Sequence, residues 1–270
     1  MMLSASALLL ALCGTASAFC GVREPSAEGL AILSEFHNQE STVSPDDFLR
    51  GERPSNINVY VHVIRHSATE STLAREVDEQ IDVLNEVFEG TQFTFRLAGY
   101  DSPVYPDLAP VSQGSAAEEL VKELRRGDAS DLNLYIVPEI GDGIAGYATF
   151  PWDYLRSSQQ DGVVILRTCV PGGNQPARNT GKVAGHEVGH WLGLLHTFQG
   201  GCQLGGDFID DTPAEESPAD GCPTGRDSCP GGGVDPIHNH MDYSDDDCRT
   251  EFTPRQIQRM ATAASVFRRL

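Results

Sequence analysis

The stretch His186-Glu187-Val188-Gly189-His190-Trp191-Leu192-Gly193-Leu194-Leu195-His196 constrains this chain more than any other. Residues four apart lie on one face of an α-helix, so His186 and His190 can present ring nitrogens to a single ion. Glu187 stands one residue round, placed to reach a water on that ion, which is the position of a general base. Gly193 lacks a Cβ and can take the positive φ that ends a helix in a sharp turn, after which His196 swings back as a third ligand. Imidazole suits zinc, and three protein ligands leave a position open for water, as hydrolytic zinc sites require. The five-residue pattern alone recurs by accident on amphipathic helices; Gly193 and His196 are what make zinc chemistry the better account.

The start of the chain points to secretion. Residues 1–18 run through an apolar stretch to the small-x-small pattern Ala16-Ser17-Ala18, which is expected to be a signal peptide, although its n-region has no Lys or Arg. No other apolar run approaches the roughly 18 residues a membrane span needs, so no anchor is expected. Cys13 would leave with the signal, and Cys20, Cys169, Cys202, Cys222, Cys229 and Cys248 remain as an even set. In an oxidising compartment three disulfides are the default, and spacing alone leaves their pairing open. The separations lack the CxxC spacing of a second metal cluster. With 39 acidic against 19 basic side chains, the net charge of −20 repels nucleic acid and anionic membranes, and neither is an expected partner.

The 270 residues, 40% of them apolar, suit one catalytic domain. We divide the chain into the signal (1–18), a short prosegment or N-terminal wrap (19–50) and the catalytic domain (51–270). Alternating and continuous apolar runs predict strands over 58–64, 93–97, 131–137 and 162–167, with helices around 30–36 and over 73–88 and 115–126. A further helix carries the histidines from about residue 181. This is an α+β pattern, a mixed sheet backed by helices. Beyond His196 the chain is rich in Gly, Pro, Asp and Cys and should be an irregular, disulfide-bonded region, closed by a helix over 254–268. Asp207, Asp210 and Asp211 offer hard oxygen ligands there, so a structural calcium is weighed against solvated turn carboxylates.

The long signature resembles that of the metzincin peptidases, which pairs the zinc helix and glycine turn with a downstream methionine turn. His238-Asn239-His240-Met241-Asp242-Tyr243-Ser244 supplies that turn and is similar to the pappalysin branch. Support comes from Gly146-Tyr147-Ala148-Thr149-Phe150-Pro151, from Gly206-Asp207-Phe208-Ile209-Asp210-Asp211-Thr212-Pro213 and from Glu251-Phe252-Thr253-Pro254. The resemblance implies a metzincin-like domain, with sheet, backing helices and zinc helix in an upper subdomain. It implies that Met241 floors the metal site, that Tyr243 approaches the metal to stabilise an oxyanion, and that Gly146, Tyr147 and Ala148 belong to an edge strand receiving substrate. It places Asp247 in the pocket for the side chain after the scissile bond, where it would favour Arg or Lys. It also implies the pairs Cys222 with Cys248 and Cys202 with Cys229, leaving Cys20 for Cys169. Cys20-Gly21-Val22 resembles the thiol switch of some zymogens, with a disulfide the favoured account.

The expected function is that of a secreted, extracellular, monomeric zinc endopeptidase acting on proteins or peptides. Two rivals stand beside it: a catalytically silent secreted binding protein or inhibitor on the same fold, and a zinc hydrolase of non-peptide substrates. Glu187 argues against the silent form, since silent relatives commonly lose the base or a ligand. His238 and His240 flank the methionine turn and are expected to serve outside the ligand set.

Overall fold

The computed structural model describes residues 19–45, 48, 53–203 and 206–270, so the signal-like residues 1–18 lie outside it. Five strands form one sheet in the order β2-β1-β3-β5-β4: β1 (Ser55–Val63), β2 (Phe93–Asp101), β3 (Leu132–Val137), β4 (Gly146–Ala148) and β5 (Val163–Leu166). The pairs β1–β2, β1–β3 and β3–β5 are parallel, and β4 lies antiparallel on β5 at one edge. Its helices include α1 (Ala27–Glu40), α2 (Ala74–Val87), α3 (Ala116–Lys122), the short α4 (Tyr154–Ser157), α5 (Lys182–Trp191) and α6 (Pro254–Ala263).

The period of two along β3 sorts the sheet into its faces. Leu134 and Ile136 join Val59, Val61, Val163 and Ile165 against Val77, Ile81 and Leu84 of α2 and Val183, Ala184 and Val188 of α5. Tyr135 and Val137 join Tyr147 and Val164 on the opposite face, against Ala117 and Val121 of α3. All six residues of β3 are therefore buried, as a strand covered on both faces must be.

Two element boundaries differ from expectation for identifiable reasons. β2 runs on to Asp101 because its backbone stays paired with β1 as far as His62, through a bulge between Val59 and Tyr60, although the side chains beyond Phe95 are not buried and leave no apolar pattern. The closing helix ends at Ala263 and widens into a π-helical turn, Ala264–Arg268. There Arg268 is buried, stacks on Trp191 and donates to Asp161 at 2.8 Å.

Residues 19–45 pack onto this body. Ser26 caps α1 by accepting from Gly29 N, Leu33 joins Phe150, Trp152 and Leu195, and Arg259 of α6 donates from Nε to both carboxylate oxygens of Glu40. The region after His196 is largely irregular and is tied by Cys202–Cys229 and Cys222–Cys248, 27 and 26 residues apart. Loops of that length stabilise by about 3.5 kcal/mol each in the chain-entropy account. Cys20 and Cys169 are not paired with each other; both are buried free thiols. The implied third disulfide is replaced because the chain ahead of α1 follows β4 and carries Cys20 to the histidines.

Candidate active site

α5 holds His186 and His190 one turn apart, and the chain turns at Gly193, whose φ of 99° is the left-handed value a side chain would resist. The turn returns His196, and the three imidazoles are 0, 0 and 5% exposed. His186 Nδ1 lies 2.7 Å from the His240 carbonyl and His190 Nδ1 lies 2.8 Å from that of Leu194. A carbonyl only accepts, so each Nδ1 carries the proton and each Nε2 is a bare lone pair. Those two lone pairs and His196 Nε2 converge: His190 Nε2 is 3.2 Å from His186 Nε2 and 3.0 Å from His196 Nε2. Burial lowers the basicity of all three, that of His190 to about 4, so protons do not relieve the repulsion. A cation does, and the donor set fits zinc.

Glu187 is fully buried, and that burial pushes its carboxyl up to about 8. Its Oε2 accepts from the Cys20 thiol at 3.3 Å, while Oε1 has no hydrogen-bond partner. Cys20 Sγ and one ring nitrogen of each histidine lie within 4.8 Å of one another. Burial, and then the charge of Glu187, raise the thiol's pKa well above its ordinary value.

Cys20 reaches this place because the N-terminal segment adds to β4 as an extra, parallel strand. Ala145 N donates to Phe19 O at 2.8 Å and Gly21 N to Gly146 O at 2.9 Å. The expected edge strand is thus an edge whose outer side is taken by the chain itself. Tyr147 contributes backbone alone, since its ring is buried in the core beneath the opposite face. Cavities of about 430 and 600 Å³ lie at the two ends of β4, one beside Ala148–Phe150 and the other beside Gly141–Ala145 and Arg178. Phe19 and Cys20 occupy the middle of this line.

Met241 is buried against α5, and a Cβ at Gly189 would stand 2.4 Å from its sulfur. The turn is fixed by Asn239, whose Oδ1 accepts from Met241 N and whose amide exchanges hydrogen bonds with Gln256. Gln256 also completes the capping box of α6 with Thr253, so the helix start, the methionine turn and the carbonyl that orients His186 form one unit. Tyr243 donates its hydroxyl to the Cys20 carbonyl at 3.1 Å and faces the ring of His196 at 5.0 Å. The ring of His240 packs on Phe252 and His238 Nδ1 bonds Cys248 O, so neither joins the triad.

Two expectations meet a different geometry. Asp247 is exposed; the inward carboxylate is Asp246, which pairs with Arg249 and accepts from the Thr180 backbone and hydroxyl. The three candidate calcium ligands are divided among separate tasks. Asp207 is buried on Thr212 and Ile209, Asp210 faces His37, and Asp211 holds Thr253 and Arg255 at the start of α6. Among the described residues they form no converging ligand set.

A family model described as Pregnancy-associated plasma protein-A matches residues 116–265. The chain belongs to the M43 peptidase family. An extracellular metalloprotease of Verticillium alfalfae is 45% identical, with 92% of this chain and 89% of that protein covered. A substituted Tannerella forsythia promirolysin matches at TM-score 0.71 and 26% identity over 93% of this chain and 95% of its own. Mature mirolysin from the same organism, in complex with a cleaved peptide, matches at TM-score 0.66 and 28% identity over 77% and 91%. This M43 member is a zinc metalloendopeptidase with the metzincin fold, and peptides are its substrate class.

Sequence reasoning missed several members of the site. The carbonyls of His240 and Leu194 have no side-chain signature at all. Arg178 and Arg249, which cover Phe19, sit in irregular segments with no periodicity to aim them. The Cys20-Gly21 pair was the one legible signal for the occupied cleft.

Proposed function

We propose that the chain is a secreted, latent zinc endopeptidase in which His186, His190 and His196 hold the ion through Nε2 and Glu187 is the general base. The observation that carries this reading is the convergence of bare imidazole nitrogens beside a buried carboxylate with an unpartnered oxygen. When bound, zinc supplies Lewis-acid activation of water and of the scissile carbonyl. Glu187 accepts the proton released by the attacking water and returns it to the leaving amine. Tyr243 donates to the oxygen that gains charge, once its present acceptor, the Cys20 carbonyl, has withdrawn. Ala145 N and Gly146 O pair with an extended substrate in place of Phe19 and Gly21. Met241 serves as the apolar floor.

The strand pairing of β4 with the chain's own peptide favours a peptide over another hydrolysable substrate. The complete set of reactive groups favours an enzyme over a silent binding protein. Latency rests on Cys20, whose thiol stands among the ligands, and the match to promirolysin covers more of this chain than the match to mature mirolysin. Secretion rests on residues 1–18 and on relatives named extracellular. The test is a mixed peptide library given to Cys20→Ala and to Cys20→Ala/Glu187→Ala. The account expects cleavage by the first, at least about 10²-fold less by the second, and equal zinc content. Equal cleavage by both, or none by either, rejects it.

A further inference from the structure

Phe19 is 1% exposed, and its surroundings are unusual. Its ring meets His186 edge-on at 4.9 Å and Tyr243 at 5.0 Å. Two guanidinium groups, Arg178 at 4.7 Å and Arg249 at 4.8 Å, lie over the ring. Each of these arginines has a buried Nε without a hydrogen-bond partner. The pocket is therefore built from the metal-site imidazole, a tyrosine and two cations, and an aromatic side chain fills it.

We infer that this pocket selects an aromatic side chain next to the scissile bond, with Arg178 and Arg249 as the residues that determine the choice. The inference rests on the proposed peptidase function and adds the class of peptide to it. Cys20 is the residue brought to the histidines, and Phe19 adjoins it on the strand paired to β4, so Phe19 stands where a substrate side chain flanking the cut would stand. The faces of aromatic rings attract cations, and guanidinium is the side chain that stacks on them best. A lysine or arginine entering the same space would meet two like charges at close range, which repel it. The acid paired with Arg249 is already engaged: Asp246 is 1% exposed and also accepts two hydrogen bonds from Thr180. Asp247 is exposed, where solvent screens its charge.

The experiment uses the full chain as Cys20→Ala, with peptides in which the two residues flanking the cut are varied, compared with the same chain carrying Arg178→Glu. Arg178 is only partly buried, so this variant is less exposed to a folding failure than one at Arg249. A second arm measures basal activity of the full chain carrying Phe19→Lys or Phe19→Tyr with Cys20 intact. The expected results are at least tenfold higher kcat/KM for Phe or Tyr than for Lys or Arg at one flanking position, and a severalfold shift toward Lys and Arg in Arg178→Glu. Phe19→Lys should raise basal activity and Phe19→Tyr should not. Preferred cutting beside Lys, Arg, Asp or Glu would overturn the inference while leaving the peptidase reading intact. So would a preference that Arg178→Glu does not move. Absence of cleavage of every peptide would overturn the peptidase reading itself.

Discussion

The thiol of Cys20 lies 3.3 Å from Oε2 of Glu187, so the residue that would block the site and the residue that would serve as its base are in direct contact. The contact depends on a parallel strand pairing that places Cys20 opposite Gly146. Removing the thiol leaves the backbone pairing in place but takes away the group that competes with water for the metal. Cys20→Ala should therefore raise basal peptidase activity of the full chain by about tenfold or more, since ~1.4 kcal/mol of lost retention is already a factor of ten. A fluorogenic peptide assay without prior processing checks this; unchanged activity would remove the latency role.

Gly189→Ala should destabilise the fold although the position lies inside a helix, where alanine is normally the better residue. The new methyl would stand 2.4 Å from Met241 Sδ, and overpacking of that kind costs roughly 1–3 kcal/mol. Thermal unfolding should show a Tm lower by several degrees, and a Tm equal to or above wild type would contradict the close packing of the methionine turn on α5.

Asp207 gives a pH dependence of definite sign. Burial pushes its carboxyl from 3.8 up to about 7, with Thr212, the Ile209 N–H and Arg259 opposing the shift. The folded state thus holds its proton more tightly than the unfolded chain. That stability is fully present below about pH 3.8 and is lost as pH rises through about 7. Denaturation midpoints taken from pH 5 to 8 should fall for the wild type more than for Asp207→Asn. Parallel profiles for the two proteins would contradict it.

Tyr243→Phe separates a catalytic from a structural hydroxyl. If the hydroxyl supports the developing oxyanion, kcat in the Cys20→Ala background should fall by about 10²-fold or more while KM changes little. A structural role would lower Tm and leave kcat per folded molecule unchanged.

The parts of this molecule that follow a period were legible in the sequence. α2 buries its apolar residues at helical spacing, β1 largely at alternate spacing and β3 in a continuous run, and the spacing of His186, His190 and His196 anticipates the approach of their ring nitrogens. What was not legible depends on contacts between segments distant in sequence. Cys20 is 167 residues from Glu187, and nothing local distinguishes a thiol bound for the cleft from one bound for a disulfide. Asp246 and Asp247 are neighbours of identical chemistry. Only the fold decides that the first faces Arg249 and Thr180 while the second faces solvent. The three acids weighed for calcium diverge for the same reason, since α6 takes Asp211 for its own first turn.

The central claim is that His186, His190 and His196 hold one zinc ion on which peptide cleavage depends. The most direct measurement is metal content and peptide cleavage of the Cys20→Ala chain before chelation, after chelation and after adding back metal. The account predicts one zinc per chain, loss of cleavage with loss of zinc, and recovery with one equivalent of zinc but not with calcium. Cleavage that persists at full rate in chelated protein holding far less than one zinc per chain would contradict it.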